Sequence, residues 1–265
     1  MAAQLATIGN RAFHRIVPVT SPAGNPALQA PRPVPRHVPR TSADVVSLLR
    51  TPEAAKYADA DPIDAIAQQV VFGRERAIFR QGDEVTSVYM VADGVIRLYK
   101  LLPDGRRQIV RFLRPGDFMG LAFTDCQPYT AEAVTPAIVK RIARSRLEAL
   151  MEEQPQLRRR LMAVTADELT AAQDQMLLLG RKNAQEKICS FLVGLAERDR
   201  RRHDGTRCVH LAMSRTDIAD YLGLPIETVS RTISKLKASR LIRLLDGGKV
   251  EIPDIDRLAG LAEGS

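Results

Sequence analysis

Towards the C-terminal end of this 265-residue chain, the stretch GLPIETVSRTISKLKASRLIRLLDGG, residues 223–248, sets Glu227, Ser230, Arg231 and Ser234 at i, i+3, i+4 and i+7. On a helix these four share one face. Val229, Ile233 and Leu236 form a second, apolar stripe that calls for burial. A polar stripe of this composition has the chemistry to read base-pair edges. The planar fork of Arg231 matches guanine O6 and N7, the carboxylate of Glu227 accepts from the cytosine N4 amine, and Ser230 donates or accepts while its small size lets the backbone approach. The same spacing also suits an intrahelical Glu–Arg pair on a solvated helix, worth roughly a few tenths of a kcal/mol. Around the trio, Thr228, Ser234, Lys235, Lys237 and Arg240, with Ser214 and Arg215 upstream, carry donors suited to phosphates. Such contacts position a helix on a duplex but convey no sequence information.

The segments on either side are of the kind that would present such a helix. Ser214 followed by Asp217 is a capping pair, and Ile218, Tyr221 and Leu222 fall on one face of the short helix it opens. Gly223 can end that helix at positive φ, and the next begins near Pro225. Two helices joined by so short a turn predict a helix-turn-helix, in which the N-terminal half of the second helix enters the major groove. LIRLLDGGKVEIP then reads as a hairpin around Asp246-Gly247-Gly248, a candidate wing.

Four regions follow along the chain. Residues 1–45, with Pro18, Pro22, Pro26, Pro31, Pro33, Pro35 and Pro39 and no acid before Asp44, predict a disordered Pro/Arg-rich tail. A basic arm on DNA phosphates is the sharper alternative for it. Residues 46–154 predict an antiparallel β-barrel: short runs of Val, Ile, Tyr and Phe are broken by the turn residues Asp93-Gly94, Pro103-Asp104-Gly105 and Pro115-Gly116-Asp117. Ser145 with Glu148 predicts a capped short helix after it. Residues 155–182, opened by Pro155, predict one long helix. Met162, Thr165, Leu169, Ala172, Met176 and Leu179 repeat on it with 3,4 spacing, a seam that a second copy could cover. Packing of this helix on the chain's own barrel is the alternative, and Leu157, Leu161 and Val164 form a second apolar row beside the first. Residues 183–265 complete the winged helix-turn-helix domain, for an α+β chain overall.

The chain carries a formal charge of +8, which favours anionic partners, double-stranded DNA among them. Cys126, Cys189 and Cys208 form no CxxC, and an odd count speaks for a reducing, cytoplasmic setting over a disulfide framework. Of the three, Cys208 lies beside Arg207 and near His210 and is the redox candidate, while Cys189 falls by a buried helix face. No apolar run approaches the roughly 20 residues of a membrane helix. No nucleophile elbow, P-loop, HExxH or paired-carboxylate motif is present, so no catalytic residue and no enzyme is expected.

The run RTDIADYLGLPIETVSRTISKLK resembles the DNA-reading motif of the cyclic-AMP receptor protein / fumarate-nitrate reductase regulator (CRP/FNR) family, with barrel, long helix and winged helix in that family's order over roughly residues 50–255. The resemblance implies a cyclic-nucleotide-binding-like jelly roll and a homodimer on a TTGAT…ATCAA-type palindrome. It also implies recruitment of RNA polymerase, as an activator of low-oxygen or nitrogen-metabolism genes. Three positions depart from the family's ligand sites: Gly116-Asp117 where a Gly-Glu pair opens the nucleotide cradle, Gln127-Pro128 where Arg-Ser grips the phosphate, and Ala172-Gln173 where Thr-Ser reads adenine. Gln-Pro cannot supply the bidentate bonds that Arg gives a phosphate. The first 125 residues contain no Cys, which argues against the iron–sulfur cluster of the oxygen-sensing branch. His14, His37, His203 and His210 are poor haem ligands by position. The resemblance is therefore to the FixK-like branch, with no metal and no cofactor expected. A receptor for a small ligand (cyclic nucleotide, haem or redox) is the alternative. Pro225 stands where the family commonly caps its recognition helix with Ser or Thr.

Overall fold

The computed structural model describes residues 61–121, 124–200 and 208–264. The expected Pro/Arg-rich tail lies outside the described residues. After a short helix α1 (Pro62–Ile66), capped by Asp61, come eight strands: β1 (Ala67–Phe72), β2 (Ala77–Phe79), β3 (Ser87–Asp93), β4 (Ile96–Leu101), β5 (Arg107–Leu113), β6 (Phe118–Met119), β7 (Thr130–Ala133) and β8 (Ala137–Ala143). They form two four-stranded antiparallel sheets, ordered β1-β8-β3-β6 and β2-β7-β4-β5. Phe79, Ile96, Leu113 and Ala131 from one sheet share a core with Val91, Met119 and Val139 from the other, so the sheets pack face to face as a jelly roll. The expected turns are present. Gly94 is a case where only glycine fits: its φ is +85°, and a Cβ there would lie 2.5 Å from the Pro136 carbonyl oxygen.

Strand β8 runs directly into helix α2 (Arg144–Glu153), which corrects the expected cap. The N-cap is Ala143, the last residue of the strand, with no side-chain bond; Ser145 is already inside the helix, and Glu148 pairs with Arg144 at 2.9 Å. Pro155 opens the long helix α3 (Pro155–Arg181), and Lys182 is its C-cap. The two apolar rows of α3 separate. Leu157 and Leu161 are buried on the outer face of the first sheet, with Ile63, Phe118, Ile142 and Leu147, and Val164 packs beside them. Of the other row, Met162, Leu169 and Met176 are 67%, 63% and 65% exposed, while Leu179 is half-buried beside Gly223.

Helix α4 (Ala184–Arg200) starts the last part, followed by strand β9 (Cys208–His210), helices α5 (Arg215–Leu222) and α6 (Ile226–Ala238), strands β10 (Arg243–Leu244) and β11 (Lys249–Glu251), and helix α7 (Ile255–Ala262). The short strands form a sheet ordered β10-β11-β9. The core of this part does not stop at its own elements. Tyr99, Ile109 and Phe112, on the outer face of the second barrel sheet, join Ile188, Phe191, Ile218 and Leu222 in one hydrophobic cluster. Phe112, Phe191 and Tyr221 stack in a tilted triangle with centroids 5.3–6.3 Å apart.

Candidate nucleic-acid interface

The helix-turn-helix is built as its residue types dictate. Ser214 Oγ accepts from the Asp217 amide at 3.0 Å, and Asp217 Oδ2 accepts from the Ser214 amide at 3.1 Å, a complete capping box at the start of α5. Gly223 ends α5 in the left-handed region, with φ 61° and ψ 44°. Val229, Ile233 and Leu236 of α6 are buried, as the apolar stripe requires. Helix α6 starts at an N-cap of Pro225 without a side-chain bond; Glu227 in its first turn and Lys235 and Lys237 in its last complement the helix dipole. Arg240 closes it with φ +56°, uncommon for a residue with a Cβ, and its amide donates to the Lys237 carbonyl at 3.0 Å.

Glu227, Ser230 and Arg231 lie exposed on one face of α6, and neither Glu227 nor Arg231 forms an ion pair among the described residues. The intrahelical pair that their spacing would also allow is therefore not made, and the guanidinium fork and the carboxylate both face solvent. Lys235, Lys237 and Arg240 are exposed along the same helix end, with Thr228 half-buried. Two of the serines expected to donate to phosphate are otherwise engaged. Ser214 Oγ donates to Asp217 Oδ2 at 2.8 Å, and Ser234 Oγ donates to the Ser230 carbonyl at 2.9 Å. A hydroxyl has one proton, so a phosphate would have to displace these bonds.

Arg215 lies in a groove beside the β10–β11 hairpin, lined also by Met213, Leu244, Leu245 and Lys249. Burial depresses its pKa from the usual arginine range. The helix spacing that singles out Thr228, Lys235, Lys237 and Arg240 does not reach Lys249. Its place just after Asp246-Gly247-Gly248, in the predicted wing, was the signal that could have found it.

The barrel positions compared with the family's ligand site are committed elsewhere. Asp117 Oδ2 accepts from the Arg114 amide at 2.9 Å and pairs with Arg198 of α4 at 3.5 Å. Gln127 is buried, its backbone N–H donating to the Asp83 carbonyl and its backbone carbonyl accepting from the Gly82 amide. Among the described residues no group of three or more His, Cys, Asp or Glu is placed to hold a metal ion. Cys126 is exposed, Cys208 half-buried and Cys189 buried, where desolvation pushes the thiol up to about 11.

The cyclic nucleotide-binding domain family matches residues 69–154, and the Crp-like helix-turn-helix domain family matches residues 186–261. The nitrogen fixation regulation protein FixK of Bradyrhizobium diazoefficiens is 43% identical over 223 residues, spanning 84% of this chain and 91% of that protein. The chain belongs to the CRP/FNR family. Another CRP/FNR relative, the transcriptional activatory protein AadR of Rhodopseudomonas palustris, is 43% identical over 205 residues, 77% of this chain and 85% of that protein. The solved structure of FixK2 from Bradyrhizobium japonicum superposes with a TM-score of 0.69 at 38% identity, covering 74% of this chain and 97% of that one. This CRP/FNR chain is a DNA-binding transcription regulator of FixK-like type and not an enzyme. No helix among the described residues is long and apolar enough to cross a membrane.

Proposed function

We propose that this regulator acts as a homodimer that reads a TTGAT…ATCAA-type palindrome and activates low-oxygen or nitrogen-metabolism genes through RNA polymerase, without a bound cofactor. The observation that carries the reading is the unpaired, exposed trio Glu227, Ser230 and Arg231 on a helix whose opposite face is anchored by Val229 and Ile233. Arg231 is assigned to a guanine, Glu227 to a cytosine amine, and Ser230 to a close backbone approach. Thr228, Lys235, Lys237, Arg240 and Arg215 are assigned to phosphates, and Lys249 joins them on the wing. The row Met162, Thr165, Leu169, Ala172, Met176 and Leu179, exposed as far as Met176, supports pairing of two α3 helices, which would present two reading helices to two half-sites. The names of the FixK relatives support the nitrogen-metabolism assignment.

A second reading, a receptor switched by a small ligand, draws support from the match of residues 69–154 to the cyclic nucleotide-binding domain family. The buried Gln127, which lacks the cationic fork a phosphate needs, counts against its nucleotide form. Footprinting of the purified protein, alone and with cyclic AMP or cyclic GMP, separates the two. The expected result is protection of a two-fold symmetric site by the protein alone. Protection that appears only with added nucleotide would favour the receptor reading.

A further inference from the structure

Asp217 is 3% exposed and lies in the first turn of α5, behind the reading helix. Its two oxygens have separate partners. Oδ2 completes the cap with Ser214, whereas Oδ1 accepts from Arg97 Nη1 of β4 at 3.0 Å and from Arg107 Nη2 of β5 at 2.7 Å. Arg97 is itself only 5% exposed, and its Nη2 bonds Glu132 of β7. One turn further along α5, Asp220 Oδ2 accepts from Arg107 Nε at 2.8 Å, and the Asp220 carbonyl accepts from Gln108 Nε2 at 2.7 Å. Two barrel arginines and one glutamine thus grip the first helix of the DNA-reading pair at successive turns. Burial works against the charge of Arg107, yet the bonds to Asp220 and Asp217 outweigh it and raise its pKa above the usual arginine value.

Charges this deep are tolerated only while paired and aligned, so the arrangement admits little rotation of α5 against the barrel. An apolar contact alone would slide more easily, being non-directional. With these bonds closed, Glu227, Ser230 and Arg231 stand free on α6.

We propose that the clasp of Arg97 and Arg107 on Asp217 and Asp220 holds the helix-turn-helix in its reading orientation, doing within the fold what a bound effector would otherwise have to do. The inference rests on the DNA-reading function proposed above and adds the residues that set the orientation. Asp217 and Asp220 are positioning residues: neither is assigned to DNA.

The test uses full-length protein and the half-buried pair Arg107–Asp220, because a change at Asp217 would also remove the helix cap. Arg107→Glu, Asp220→Arg, the double reversal, and the mild variant Arg107→Gln are compared for operator affinity by fluorescence anisotropy, with thermal melting to register folding. Arg106→Glu, at an exposed turn position beside the clasp, controls for the change in net charge. Each single reversal is expected to weaken operator binding about tenfold or more, with the ranking of guanine-substituted operators unchanged, and the double reversal to recover only the part carried by Asp220, because Arg107→Glu still faces the buried Asp217. Should a single reversal fail to fold, Arg107→Gln carries the comparison, with a smaller loss expected in the same direction. Affinity equal to wild type in the folded variants, or a loss of the same size in the Arg106→Glu control and in Arg107→Glu, would overturn the clasp. Tighter binding would overturn it too, because the clasp would then hold a non-reading orientation. A wild-type protein that binds no duplex would defeat the reading function itself, a result distinct from all of these.

Discussion

Asp217 shows how much one side chain can carry, and how little of that is local. Its bond to Ser214 spans three residues and was legible as a capping pair. Its bonds to Arg97 and Arg107 span 120 and 110 residues, and nothing in the linear text announces them. The shared exposed face of Glu227, Ser230 and Arg231 was legible for the opposite reason: it follows from the i, i+3, i+4 spacing of a single helix. Ser145 failed where Ser214 succeeded because the last strand residue, Ala143, is itself the extended N-cap, which leaves Ser145 already inside the helix. The cysteines divide in the same way. Cys189 was readable as core from its helix face, whereas the exposure of Cys126 depends on how the chain folds between β6 and β7. Since the Cys189 thiol is pushed up to about 11, only about one molecule in a thousand is thiolate near pH 8. Iodoacetamide at that pH should label Cys126 first and leave Cys189 intact until the protein is unfolded, as read by peptide mass spectrometry. Labelling of native Cys189 at the rate of Cys126 would contradict its burial.

Helix α3 is the element where the sequence offers two partners, and the fold keeps the two rows apart. The row with Leu157 and Leu161 covers the barrel, and the row with Met162, Leu169 and Met176 is left facing outwards. Three large apolar side chains in a straight line, each about two-thirds exposed, are a costly surface for a lone chain, since burying each would gain roughly 1.5–3 kcal/mol. Leu169→Lys should therefore leave the melting of the barrel nearly unchanged, because Leu169 packs little within its own chain, and yet give monomers by sedimentation velocity and lose operator affinity. A dimeric Leu169→Lys variant with full affinity would show that the seam is not the pairing surface.

At the scale of the whole molecule, the described residues form a barrel and a winged helix-turn-helix that share a core around Phe112, Phe191 and Tyr221 and are clasped by ion pairs beside it. The order of barrel, long helix and winged helix was legible from turn chemistry and periodicity, which are local. The joint between barrel and winged helix-turn-helix was not, because the strand residues Tyr99, Ile109 and Phe112 read equally well as parts of the barrel's own interior. The net charge of +8 supports non-specific attraction to any duplex, and in the proposed reading discrimination comes from a few groups on α6. Lys235→Ala or Lys237→Ala should accordingly weaken binding to all sequences alike and reduce the salt slope by about one. The most direct test is a titration of wild type and Arg231→Ala against the footprinted palindrome and against the same duplex with the contacted guanine of each half-site replaced. The expected result is that wild type separates the two duplexes by about 1–3 kcal/mol per half-site and Arg231→Ala binds both equally. A variant that weakens on both duplexes by the same factor, keeping the wild-type preference, would contradict the assignment of Arg231 to a base.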